Sequence, residues 1–220
     1  MWQTDGMSTP GWVPLTRERR KQATRDHLLA SAERLFIERG FHAASIDDIA
    51  RAAGFTKGAV YAHFKNKEEM FIALTERRWD EQLARVRTAL DTLATSSADQ
   101  RSVSFVDLTR DLLWDDPGWQ LLALEFNVYA ARNPSAQHRL SERHRVDQSM
   151  LATLLAQDLA KRGVDPPISP HTLAGVLLAF FNGISLKHTT IPDHDDNVVL
   201  SAAIDLIDIA LEGPDSRERV

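Results

Sequence analysis

Apolar residues recur at three- and four-residue spacing from Leu28 onward, the period of helices that bury one face. In residues 17–39, Leu28, Leu29, Ala32, Leu35 and Phe36 keep that spacing behind a basic start, and Gly40 closes the segment. Ser45 opens a second, shorter helix as its N-cap, with Asp48 three residues later as the reciprocal partner. Its stripe is Ile46, Ile49, Ala50 and Ala53, and Gly54 ends it. Thr56 caps a third helix with Ala59, Val60 and Phe64 on one face, which leaves Lys57, Gly58, Tyr61 and Ala62 for the other. Two short helices joined by a glycine turn make a helix-turn-helix, and the free face of the second is the one that can enter a major groove.

Beyond the head the same period continues, with nothing strand-like between segments. Asn66 caps a helix over 67–93 whose stripe of Met70, Phe71, Leu74, Leu83, Val86 and Leu90 outruns what a three-helix head requires, so it reads as a connector. Residues 94–100 form a polar break. Five further helices are predicted at 101–115, 118–132, 135–162, 169–188 and 195–211, punctuated by Pro117, Pro134, Gly163, Pro166, Pro167 and Pro192. The pattern predicts an all-α fold: a loose arm over 1–14, a helix-turn-helix head over 15–67, a helical C-terminal domain over 68–213 and a tail over 214–220. Leu173, Val176, Leu177, Phe180 and Ile184 line one face of the fourth of these helices. Val198, Val199, Ala202, Leu206 and Ile209 line one face of the fifth. Such a pair serves as core, as a self-complementary dimer face, or as both, and two heads on paired half-sites favour both.

Charge changes the picture once it is located. The whole chain carries a net charge of −5, which does not suggest a nucleic-acid partner. Residues 15–67, however, hold 11 Lys and Arg against 6 Asp and Glu, while residues 68–220 hold 15 against 24. The basic third is the candidate DNA head. In the arm, Trp2 and Trp12 either pack onto the domain or a partner chain, or belong to an arm that touches DNA with Arg17, Arg19, Arg20 and Lys21. Cysteine is absent, which excludes disulfides and thiolate metal sites. The eight histidines are scattered without ligand spacing, so neither a metal nor a cofactor is expected. The longest apolar run, 173–184, falls short of the ~20 residues a membrane span takes, and no secretory signal opens the chain. A cytoplasmic protein with no membrane partner is expected.

The run Ala32-x-x-Leu35-Phe36, Gly40-Phe41, Ser45-Ile46-x-x-Ile49-Ala50-x-x-Ala53-Gly54-Phe55, Lys57-Gly58-x-Val60-Tyr61-x-His63-Phe64 and Lys65-x-Lys67-Glu68-Glu69 resembles the tetracycline-repressor-like (TetR) family of bacterial transcriptional regulators. The resemblance implies that the helix after Thr56 is the recognition helix, with Lys57, Gly58, Ala59, Tyr61 and Ala62 facing the groove. It also implies that Ser45, Thr56, Tyr61, His63 and Lys67 touch phosphates, His63 being either a phosphate donor or a packed residue. Asp47 and Asp48 suit the positive end of their helix but repel phosphate, which argues against base contact from it. Further implied are a homodimer on a double-stranded, pseudo-palindromic operator and a small-molecule effector in the C-terminal domain. Pocket candidates are Trp114, Glu125, Phe126, Tyr129, Met150 and Phe181. Glu125 reads either as a core carboxylate paired with an arginine of a neighbouring helix or as a pocket acid.

The function expected is a ligand-released repressor. An activator or dual regulator of the same fold, and a helical protein that binds DNA without sequence choice, are the alternatives. An enzyme is not expected: Glu125, His138, His144, Asp147 and Ser149 supply residue types for acid–base work, but no nucleophile motif or phosphate loop accompanies them.

Overall fold

The computed structural model describes residues 16–93, 116–191, 198–203 and 206, and among these the only regular element is the helix. The elements are α1 (Arg17–Ala43), α2 (Ile46–Ala52), α3 (Lys57–Tyr61), α4 (Lys67–Leu93), α5 (Pro117–Arg132), α6 (Pro134–Arg162) and α7 (Pro170–Thr190). A further helical stretch covers 198–203. The arm, the 101–115 helix and the tail lie outside the described residues. No helix among those described is long and apolar enough to cross a membrane.

Local chemistry explains the ends of these helices. Thr16, Ser45, Thr56, Asp116 and Ser169 each accept a backbone N–H of their helix's first turn. Asn66 does the same for α4, taking Glu69 N–H at 2.8 Å. Proline occupies the first position of α5, α6 and α7, where no helical N–H is missed. Gly54, at φ 73°, turns the chain out of α2 toward α3.

The first helix differs from its expected form. It does not stop at Gly40 but bends there, with Gly40 at φ 80° and ψ 159°, and resumes for one short turn to Ala43. The bend carries Phe41 inward, so that it is almost fully buried against Phe36, Phe71, Phe126 and Tyr129. Phe71 of α4 stacks on Phe126 of α5 at 3.8 Å between centroids and on Trp119 at 5.6 Å. One hydrophobic core therefore runs from Leu28 of α1 through α2, α3 and the start of α4 to Leu122, Phe126 and Ala130 of α5 and Ala136 of α6. A division after Lys67 cuts through this cluster rather than around it.

The rest of the C-terminal helices have smaller cores of their own. Leu151, Ala152 and Ala174 join α6 to α7 with Trp79 and Leu83 of α4 against them, and Leu159, Leu173 and Leu177 form a second patch. Between α4 and α6 lies an ion pair of Arg143 with Asp147, one turn apart, with Glu76 3.6 Å from Arg143. Burial raises the Asp147 carboxyl to about 6, despite the guanidinium beside it.

Candidate nucleic-acid interface

The helix-turn-helix presents a sharply two-sided surface. Val60 and Phe64 are buried, with Ile49 and Ala50 beneath them, while Lys57, Gly58, Tyr61 and Ala62 are exposed and Ala59 sits at the edge. Tyr61 leaves half its surface free. A five-residue helix can hold such a presentation only because its apolar side is pinned to a rigid core.

The polar groups around it are already partly engaged. Ser45 Oγ accepts Asp48 N–H at 3.1 Å and donates to Asp48 Oδ2 at 2.6 Å, and that donated bond holds the Asp48 carboxyl below its ordinary value. Thr56 Oγ1 accepts Ala59 N–H at 3.2 Å, a bond that leaves its own O–H to donate. Lys57 Nζ lies 2.9 Å from Asp47 Oδ1, and this bond raises the lysine above its usual value. His63 is held below its usual range by burial and by Lys21 and Arg25, so it is neutral at pH 7, with Nδ1 buried and unpartnered. Around these groups Arg17, Arg19, Arg20 and Lys21 stand exposed on the first turns of α1, and Arg25 lies over the Phe64 ring at 4.8 Å.

Lys67 does not fit a phosphate contact. Its ammonium donates to the carbonyls of Phe41 (2.6 Å), His42 (3.1 Å) and Ala44 (3.0 Å) and sits 4.6 Å over the Phe41 ring. All three of its protons close the end of α1, and burial lowers its pKa. Sequence placed Lys67 at the head's edge correctly but could not show the three carbonyls, which the Gly40 bend turns toward it.

The effector-pocket candidates that fall among the described residues divide between the head's aromatic cluster, the Leu159 patch and the surface. Among the described residues Glu125 pairs with no arginine: its Oε2 accepts Phe41 N–H at 2.8 Å, the donor that the Gly40 bend removes from the helix ladder. Phe126 is fully buried in the head's own aromatic cluster, and Tyr129 donates to Glu68 Oε1 at 2.5 Å. Phe181 packs on the Leu159 patch and Met150 is exposed, while Trp114 lies outside the described residues. Three of the six candidates thus fasten the head to α5. An ionic link beside them does the same: Arg78 of α4 reaches Glu33 of α1 at 2.7 Å and Asp116, the α5 cap, at 2.5 Å.

The expected dimer face splits in two. Leu173, Leu177 and Ile184 are buried inside the protomer against α6 and its neighbours, and Phe180 is partly covered. Val176 is 53% exposed, as are Leu186, Val198, Ala202 and Leu206 in varying degree, with Val199 intermediate. Ile209 lies outside the described residues. Helix α7 is apolar on both sides, so spacing alone could not say which side turned inward.

A helix-turn-helix with an outward reading face, held on a larger helical body, is the architecture of a DNA-binding transcriptional regulator. Residues 28–74 match the model of bacterial regulatory proteins of the tetR family, and residues 98–212 match that of the C-terminal part of BetI-type transcriptional repressors. The chain belongs to the TetR family. It is 27% identical over 163 residues to the transcriptional regulator UidR of Escherichia coli K12, covering 74% of this chain and 80% of that one. Over 99 residues it is 37% identical to the transcriptional activator FasR of Mycolicibacterium smegmatis, and there it spans only 44% of either chain. A transcriptional regulator from Rhodococcus sp. Rha1 shares the fold at TM-score 0.62 and 27% identity, with 86% of this chain and 96% of that one aligned.

Proposed function

We propose that this regulator is a repressor that binds a pseudo-palindromic operator as a homodimer and is released by a small molecule bound among its C-terminal helices. The observation that carries this reading is the continuous core from α1 to α5: a change in the packing of α4 or α5 reaches the head directly, because Phe71, Phe126 and Phe41 share one cluster. The C-terminal match to a repressor model supports the sign of regulation. An activator is the second reading, favoured by the resemblance to FasR.

In this reading Lys57, Gly58, Ala59, Tyr61 and Ala62 enter the groove, and Thr56, Tyr61, Ser45 and His63 lie near phosphates, with Lys67 left out for the reason given above. The exposed apolar groups Val176, Leu186, Val198 and Leu206 on the last helical segments support the dimer, since exposed apolar side chains there can serve a self-complementary interface. Two heads then span ~34 Å of duplex, and effector binding shifts the population toward a spacing that no longer fits.

A footprint on the DNA flanking its own gene, carried out with excess competitor DNA, tests the first step. Protection of a palindrome, weakened in Lys57→Ala and in Tyr61→Ala while the dimer persists, supports the reading. Uniform, salt-sensitive binding without a footprint refutes it. A promoter fusion then separates repressor from activator, and Val176→Glu with Leu206→Glu converts the dimer to a monomer in sedimentation if that face is the interface.

A further inference from the structure

The two adjacent carboxylates of α2 have separate partners. Asp48 is turned back on its own helix and on α1, accepting from Ser45 Oγ at 2.6 Å and from Arg51 at 3.2 Å, with Arg39 at 3.9 Å. Asp47 reaches instead across the turn to the first residue of α3, where its Oδ1 and Oδ2 lie 2.9 and 3.2 Å from Lys57 Nζ. Both side chains of this second pair are about half exposed, at 54% and 55%, on the side of the motif that carries Tyr61. The sequence argument against base contact from α2 therefore holds for Asp48 alone.

We propose that Asp47 is a specificity-determining residue: with Lys57 it forms a donor–acceptor pair that reads one G·C base pair in the major groove. Lys57 donates to guanine O6 and N7, and Asp47 accepts from cytosine N4. This rests on the DNA-reading function proposed above.

The chemistry follows from what each group has left to give. An ammonium has three donors, of which the carboxylate occupies one or two, and a carboxylate has about four acceptor sites. The pair therefore shows the duplex a donor beside an acceptor, at hydrogen-bond spacing. A G·C pair is the complement: guanine shows acceptors at N7 and O6, and the N4 donor of cytosine stands next to them. Adenine shows a similar order with N7 as its single acceptor, so an A·T pair holds the ammonium less well.

Phosphate enters the argument with the opposite sign. A carboxylate on a DNA-facing surface weakens contact with every sequence, and it is compensated only where a base donor meets it. Asp47 also holds the Lys57 ammonium away from the backbone, where it would bind any sequence. Affinity for random DNA is thereby left to the exposed cations at the start of α1, and the reading face itself carries sequence choice.

The test selects bound duplexes from a random library with the full-length wild type, Asp47→Ala, Asp47→Asn and Lys57→Met, then measures each on the selected operator with every base pair changed singly. The wild type is expected to hold G·C at one position of each half-site, with on the order of tenfold loss on changing it to A·T. Asp47→Ala and Lys57→Met are both expected to lose the preference at that same position and keep it elsewhere. Asp47→Ala should also bind random duplex more tightly, with a salt slope steeper by about one. Asp47→Asn keeps the shape of the side chain and separates loss of charge from loss of fold. An unchanged profile in the Asp47 variants, changes at a different position from Lys57→Met, or an A·T preference there would overturn the inference alone. Failure of the wild type to select any sequence would refute the DNA-reading function and the inference with it.

Discussion

Removing the Glu125 carboxylate should loosen the whole head, although it lies in neither the reading face nor the motif. Its Oε2 accepts the Phe41 N–H at 2.8 Å, and Phe41 is only 1% exposed. In Glu125→Ala that donor is buried without a partner, which costs about 2–3 kcal/mol for a bond to a charged acceptor. Glu125→Gln keeps an acceptor of the same shape and should cost about half as much. Gly40→Ala attacks the same contact from the other side. Its φ and ψ fall in a region that is glycine's almost alone, worth about 1–3 kcal/mol of strain, and a Cβ there would lie 2.9 Å from Oε2. The two substitutions therefore share a consequence, and the double variant should cost about 1–2 kcal/mol less than the sum of the singles. Thermal unfolding at one fixed protein concentration reads this out, with about 2–4 °C of Tm per kcal/mol for a chain of this size. Additive costs, or a Glu125→Ala variant that melts within a degree of wild type, would show that the bond to Phe41 does not hold the bend.

Three further outcomes follow from the charges around the head and body. Lys67→Met should cost about 2–4 kcal/mol of stability through the three lost carbonyl bonds while leaving the salt slope of DNA binding unchanged; a slope reduced by about one with an unchanged Tm would mean a phosphate contact after all. His63 is held below its ordinary value in the free protein by burial and by Lys21 and Arg25, and the phosphates of the proposed complex would favour its charged form, so operator affinity should rise as pH falls through the histidine range, and His63→Gln should be flat there. Asp147 binds its proton more tightly folded than unfolded, since its carboxyl is raised from 3.8 to about 6. Its contribution to stability is thus present at low pH and is lost as pH rises from ~4 to ~6, on the order of 2–3 kcal/mol, and urea unfolding of Asp147→Asn should lack that slope.

The sequence was most informative where structure is local. The Ser45 and Thr56 caps, the glycine turn after α2 and the exposed set around Tyr61 all depend on residues within a few positions of one another, and they stand as the spacing predicted. Glu125 was misread because its partner is 84 positions away and is a backbone group, which no side-chain pattern announces. The neighbours of Phe126 and Tyr129 are not legible for a related reason: bulk and aromaticity are the same in a pocket wall and in a core, and it is the Gly40 bend that brings Phe41 against both rings. The face of α7 could not be assigned because Leu173 and Val176 are equally apolar, and the choice between them belongs to α6. Asp47 and Asp48 look alike in sequence, yet a ten-residue reach to Lys57 separates their roles.

The aromatic cluster of Phe41, Phe71 and Phe126 also sets where this chain can be cut and rejoined. A chimaera that grafts residues 1–67 onto another regulator's body would carry Phe41 away from Phe71, Phe126 and Tyr129 and leave Glu125 with no N–H to accept from. The unit that can be exchanged must include α4's first turns and the inner face of α5, which are separated in sequence by the rest of α4 and by residues 94–116. In the proposed regulator, operator preference and effector response would therefore be inherited together. New pairings of the two would arise by point changes on the faces of α2 and α3 more readily than by recombination between heads and bodies.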